Sequence, residues 1–102
     1  MYYMDEITKE LQSFLVKLHY SPDSVSEKME HYLEHLTHLL PPDDEESLLH
    51  YFGILGHEQM GLDEIARQRG LSPETMMTKI DESLRRLAIT PEWQMMKSVG
   101  YK

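Results

Sequence analysis

Residues Leu62 to Leu87, LDEIARQRGLSPETMMTKIDESLRRL, narrow the possible folds more than any other stretch of the chain. Leu62, Ile65 and Ala66 fall at helical spacing, and Met76, Ile80, Leu84 and Leu87 step by four, four and three along a second helix. Only Gly70, Leu71 and Ser72 separate the two. Gly70 supplies the left-handed backbone that ends a helix, and Ser72 is a preferred N-cap. Pro73 fits the first helical position, and Glu74 suits the positive end of the helix dipole. Helices this short are marginal in water on their own. They must bury their apolar stripes against further helices, so the segment predicts an all-α domain.

The rest of the chain supplies those partners. Ile7, Leu11, Phe14, Leu15 and Leu18 predict an amphipathic helix over about residues 4–19, broken by Ser21-Pro22-Asp23-Ser24. Ser24 with Glu27 reads as a capping box for the next helix, whose stripe is Met29, Tyr32, Leu33, Leu36, Leu39 and Leu40. Pro41-Pro42 ends it, because proline lacks an N–H and disfavours helix in the residue before it. Asp43, Asp44, Glu45 and Glu46 open a third helix with Leu48, Leu49, Tyr51 and Phe52 as its apolar positions and Gly53 as C-cap. Residues 54–60 form a connector. Thr90-Pro91-Glu92 repeats the cap, proline, acid start, and Trp93, Met96 and Val99 pack a final short helix. The expected architecture is one domain, a small bundle of about six helices. An acidic helical hairpin occupies 1–40, a core 41–88, and a short helix and tail 89–102. Tyr2 and Tyr3 either cap the core or contribute to a homodimer interface.

Composition limits the chemistry. There is no Cys, so disulfides, Cys-based zinc sites and thiol catalysis are ruled out. The net charge of −8 opposes indiscriminate binding to phosphate backbones. It is also lopsided. Residues 1–52 carry 3 Lys+Arg against 11 Asp+Glu, whereas residues 53–102 carry 7 of each. An acidic N-terminal half suits solubility or a basic protein partner. No apolar run predicts a membrane span, and the N-terminal residues do not read as a signal peptide, so a cytoplasmic protein is expected. His31-Tyr-Leu-Glu34-His35 has the His-x-x-Glu-His order of inverted zinc peptidases, but the chain is too small for that architecture. His19, His50 and His57 have no spaced partners, no nucleophile elbow is present, and Gly53, Gly56 and Gly61 form no phosphate loop. Neither an enzyme nor a metal or other cofactor is expected.

Two helices joined across a three-residue turn are the layout of a helix-turn-helix, whose second helix enters the DNA major groove. The surrounding residues extend the likeness. LLPPDDEESLLHYFGI (Leu39–Ile54) resembles the Leu-Pro-Pro-x-Glu opening and Phe-Gly-Ile helix end of region 4 of bacterial sigma-70-type transcription factors. LDEIARQRGLS (Leu62–Ser72) and SLRRL (Ser83–Leu87) resemble its next helix, turn and recognition-helix end. GLSPETMMTKI (Gly70–Ile80) is similar to the related LuxR-type regulators. The resemblance covers about half the chain and implies a tetrahelical helix-turn-helix and a transcription-related role. It implies that Ser72, Thr75, Thr78 and Lys79 face DNA or cap the turn, and that Arg67, Arg69, Arg85 and Arg86 hold phosphates, a positioning role. Pro73, Thr75 and Met77 stand where sigma region 4 usually has Arg, the commonest base reader, and Thr78 where it has Gln. Two functions follow from the resemblance. One is weak or partner-assisted DNA binding. The other is an adaptor that holds RNA polymerase or another transcription protein, with Met77 as an outward protein contact and little DNA contact.

Overall fold

A computed structural model describes residues 6–99, with the side chain of Val99 excepted. Tyr2, Tyr3 and the packing of Val99 lie outside the described residues. Six α-helices are present and no strand is found among the described residues. They are α1 (Glu6–Tyr20), α2 (Glu27–Thr37), α3 (Pro42–Phe52), α4 (Leu62–Arg69), α5 (Pro73–Ala88) and α6 (Pro91–Val99), with a 3₁₀ turn at Pro22–Ser24. No helix is long and apolar enough to cross a membrane.

α5 is the hub, touching α1, α3, α4 and α6. Its inward residues Met76, Ile80, Leu84 and Leu87 are buried, as their spacing predicts. Around them close Leu11, Phe14, Leu15 and Leu18 of α1, Leu48, Leu49 and Phe52 of α3, and Ile65 and Ala66 of α4. α6 adds Trp93 and Met96, and α2 adds Met29, Leu33 and Leu36. The N-terminal helices do not form a hairpin of their own. α1 packs chiefly on α3 and α5, whereas α2 packs on α6.

Helix ends explain most boundaries. Ser72 Oγ accepts the Thr75 amide at 3.1 Å, and Thr90 Oγ1 accepts the Trp93 amide at 3.2 Å. α3 and α4 both end in a left-handed glycine, Gly53 at φ 64° and Gly70 at φ 68°. After each, the next amide reaches back over the last turn, Ile54 to the Leu49 carbonyl (3.2 Å) and Leu71 to the Ala66 carbonyl (2.9 Å). Ile54 then turns its side chain into the core and Leu71 packs against it, the apolar contact that accompanies this ending.

Three expectations are corrected. The cap of α2 is Ser26, not Ser24: Ser26 is extended and its Oγ accepts the Met29 amide at 3.1 Å. Ser24 is already coiled in the 3₁₀ turn set by Pro22, and a cap needs non-helical backbone. Leu39 is 48% exposed, because α2 stops at Thr37 and helical spacing no longer governs the turn that follows. Ile7 is also exposed, and Thr8 takes the buried place in that turn of α1.

Polar ties link the helices. His19 Nδ1 donates to the Gly53 carbonyl at 2.9 Å, fixing α1 to the end of α3. Glu45 Oε2 receives Thr37 Oγ1 at 2.9 Å and lies 2.6 Å from His38 Nδ1, joining α2 to α3. Lys97 Nζ meets Glu10 Oε1 at 2.7 Å, joining α6 to α1.

Candidate functional site

The turn between α4 and α5 is built as its residues predict, so α5 begins with fixed geometry. Along the side of α5 away from the core, Thr75, Thr78, Glu82 and the neighbours Arg85 and Arg86 are exposed, with three- or four-residue steps from Thr75 to Thr78, to Glu82 and to each arginine. This is the stripe that a groove-binding helix would present. Glu74 is exposed beside it, and Ile89, 74% exposed, ends it. Lys79, Arg85 and Arg86 thus stand among Glu74 and Glu82, and the stripe carries an excess of only one cation.

Of the candidate DNA-facing residues, Thr75, Thr78, Arg85 and Arg86 share this stripe, whereas Arg67 and Arg69 belong to α4. Ser72 and Thr75 are turned to each other, with the Ser72 hydroxyl donating to Thr75 Oγ1 at 3.0 Å, so both serve the cap. Thr78 Oγ1 donates to the Glu74 carbonyl at 3.1 Å, inside its own helix. Lys79 is half-buried at the edge of the stripe. Arg67 Nη2 pairs with Glu64 Oε1 at 2.6 Å across one turn of α4, and both side chains are well exposed. Such a pair contributes little stability, but it places a carboxylate beside the arginine.

Arg69 departs furthest from its expected role. Its guanidinium reaches back to the start of α3, donating to Ser47 Oγ at 2.7 Å, the Asp43 carbonyl at 3.2 Å and Asp44 Oδ1 at 3.3 Å. Arg69 and Asp44 are only 23% and 25% exposed. This arginine clamps α4 to α3 and is spent there. Arg69→Ala should therefore lower unfolding free energy by about 1–2 kcal/mol, the worth of one charge-assisted cluster discounted for partial exposure. Urea titration would check this. An unchanged midpoint would show that the clamp does not form in solution.

Met77 does not stand on an outward face. It is half-buried against the core, and its sulfur receives the Tyr51 hydroxyl at 3.9 Å. Tyr51 in turn lines a cleft of about 460 Å³ between α1, the end of α3 and the connector, with Val16, Tyr20, Phe52, Met60 and Leu62. The connector is pinned here. His50 Nδ1 donates to the Glu58 carbonyl at 2.8 Å, and the Met60 amide donates to the His50 carbonyl at 2.9 Å.

Sequence reasoning missed two residues at this site. Glu82 was legible, since it stands four residues after Thr78 and four before Arg86 on the same stripe. Ser47 as a partner of Arg69 carried no signal, because 22 residues separate them. Of the zinc-like motif, His31 Nδ1 lies 3.4 Å from Glu34 Oε1 on an exposed part of α2. No group of three side chains able to hold a metal is brought together among the described residues.

Comparison with protein-family models, with curated proteins and with solved structures finds no match to this chain.

Proposed function

We propose that this chain is a helix-turn-helix-framed adaptor of transcription, which holds a protein partner and makes little contact of its own with DNA. One observation carries the choice between protein and DNA: the outward stripe of α5 has carboxylates among its cations, with Glu82 set between Thr78 and Arg86 and Glu74 beside it, leaving an excess of only one cation. Phosphate attraction supplies most non-specific DNA affinity, and each carboxylate on the approaching face offsets a cation. The loss of Arg69 to the α3 clamp points the same way. The transcription setting rests on the resemblance of Leu39–Leu87 to sigma region 4. The partner would be RNA polymerase or another transcription protein, and the cleft beside Tyr51 and Met77, where Gln12, His19 and Gln59 join the apolar side chains, offers it a footing.

A second reading, weak DNA binding in concert with a partner, draws support from the adjacent exposure of Arg85 and Arg86 on the same stripe as Thr75 and Thr78. One experiment separates the two. Duplexes of random sequence are titrated with the protein at about 50 mM salt, the range where phosphate contacts are strongest. The expected result is no measurable complex with the natural chain and a complex with Glu82→Lys, which raises the cation excess of the stripe. Binding by the natural chain, with a salt slope that falls by about one for each of Arg85→Ala and Arg86→Ala, establishes the second reading instead. A parallel pull-down on RNA polymerase tests the partner. Failure to retain it removes polymerase from the adaptor reading.

A further inference from the structure

Helix α2 repeats histidine at a spacing that metal chemistry uses. His31 and His35 stand four residues apart within Glu27–Thr37, and both are exposed. Residues at this spacing share one face of a helix, with Cβ atoms about 5–6 Å apart. Two imidazoles so placed can close on one ion, the arrangement by which paired helical histidines grip zinc in metalloproteases. The peptidase architecture is out of reach for a chain of 102 residues, but a two-histidine chelate needs only one helix.

The surroundings of His31 point to the same use. Glu34 Oε1 lies 3.4 Å from His31 Nδ1. A carboxylate at one ring nitrogen orients a ligand imidazole and raises the basicity of the other, which leaves Nε2 for the ion. Glu27 stands four residues before His31 and Lys28 three before, so two carboxylates and one ammonium lie along the helix around this ring. Lys28 Nζ lies over the Tyr32 ring, 5.9 Å from its centroid. Other histidines are engaged elsewhere. His38 Nδ1 lies 2.6 Å from Glu45 Oε2, and the Nδ1 atoms of His19 and His50 donate to the carbonyls of Gly53 and Glu58. No third metal-holding side chain joins the pair among the described residues. We infer that His31 and His35 form a two-point site for a divalent ion of the zinc, nickel and copper class, bound through imidazole nitrogen with water in its remaining positions. Imidazole suits these ions, whereas magnesium and calcium take oxygen ligands. The site lies outside α4 and α5 and does not depend on the adaptor reading.

The test uses the full chain without a histidine tag, with zinc chloride alone as the probe and the imidazole C–H signals as the readout. Zinc should shift His31 and His35 most among the six histidines, and magnesium should shift none. His35→Ala should weaken zinc binding at least about tenfold, because a second ligand on the same helix acts at high effective concentration. Two further substitutions in the His35→Ala background separate chelation from attraction by charge. Glu27→His returns a four-residue spacing with His31, whereas Glu30→His puts the same side chain next to it, facing another way. Both positions are exposed and both lose one carboxylate, so circular dichroism should show equal helix content. Glu27→His should recover binding and Glu30→His should not. Equal recovery by both, or recovery by neither, overturns the inference, as does an unchanged affinity in His35→Ala. Largest shifts at His19, His38, His50 or His57 also overturn it. A Kd above about 1 mM for the natural chain marks an adventitious ion only, and overturns it too.

Discussion

Trp93→Ala should lower the unfolding free energy by about 3–5 kcal/mol, the usual cost of emptying a large aromatic site. Trp93 has 0% exposure, and its ring sits 5.4 Å from that of Phe14, tilted by 49°. It thereby fastens the start of α6 to α1 at a point where Thr90 caps the helix. No neighbour can collapse fully into the space of an indole, so both the transfer free energy and the cavity count against the variant. For a domain of this size each kcal/mol corresponds to roughly 4–8 °C in thermal midpoint, so a fall of roughly 15–30 °C is expected. Ile89→Ala is the control. Ile89 is 74% exposed, and its loss should stay within about 0.5 kcal/mol. A Trp93→Ala loss below about 1 kcal/mol would mean that the indole is not buried in solution.

The second large effect is expected at a glycine. Gly53→Ala faces two costs at once. The residue holds φ 64°, ψ 54° at the end of α3, a left-handed conformation that costs an L-residue about 1–2 kcal/mol. A Cβ there would also stand 2.6 Å from the Cβ of Gln59 and 2.9 Å from His19 Nδ1. Those atoms cannot withdraw without disturbing the His19 bond to the Gly53 carbonyl. Overpacking of this kind adds about 1–3 kcal/mol, so a total near 3 kcal/mol is expected from chemical denaturation. Gly70→Ala separates the two costs. Gly70 has φ 68°, but a Cβ there would meet nothing within 4 Å, so only the conformational part, about 1–2 kcal/mol, should appear. Equal losses at the two positions would show that the Gly53 pocket is roomier than described. Gln59→Gly should recover part of the Gly53→Ala loss, because it removes the crowding atom.

What the sequence made legible was what short-range chemistry decides. The bounds of α4 and α5 follow from Gly70, Ser72 and Pro73, whose conformational preferences act within one turn of the chain. The inward stripe of α5 follows from spacing alone. Ser24 was displaced from its expected role by Ser26 because two serines near one helix start offer the same local signal, and the 3₁₀ turn that discriminates them depends on how Pro22 is used. Arg69 was misread for a different reason. A cation next to the α4–α5 turn has the chemistry to meet phosphate or an internal carboxylate, and the answer lies with Asp44 and Ser47, on another helix.

The packing of α1 against α5 bears on how the chain is made. α1 leaves the ribosome before α5 and carries Leu11, Phe14, Leu15 and Leu18, and α5, its main partner, begins only at Pro73. At typical elongation rates that partner follows on the order of several seconds later. α1 is too short to hold its helical form firmly by itself. Its apolar residues must therefore wait, unburied or borrowed by chaperones, until α5 has emerged. Cutting α4 and α5 free as a separate fragment would impose the same exposure permanently, from the opposite side.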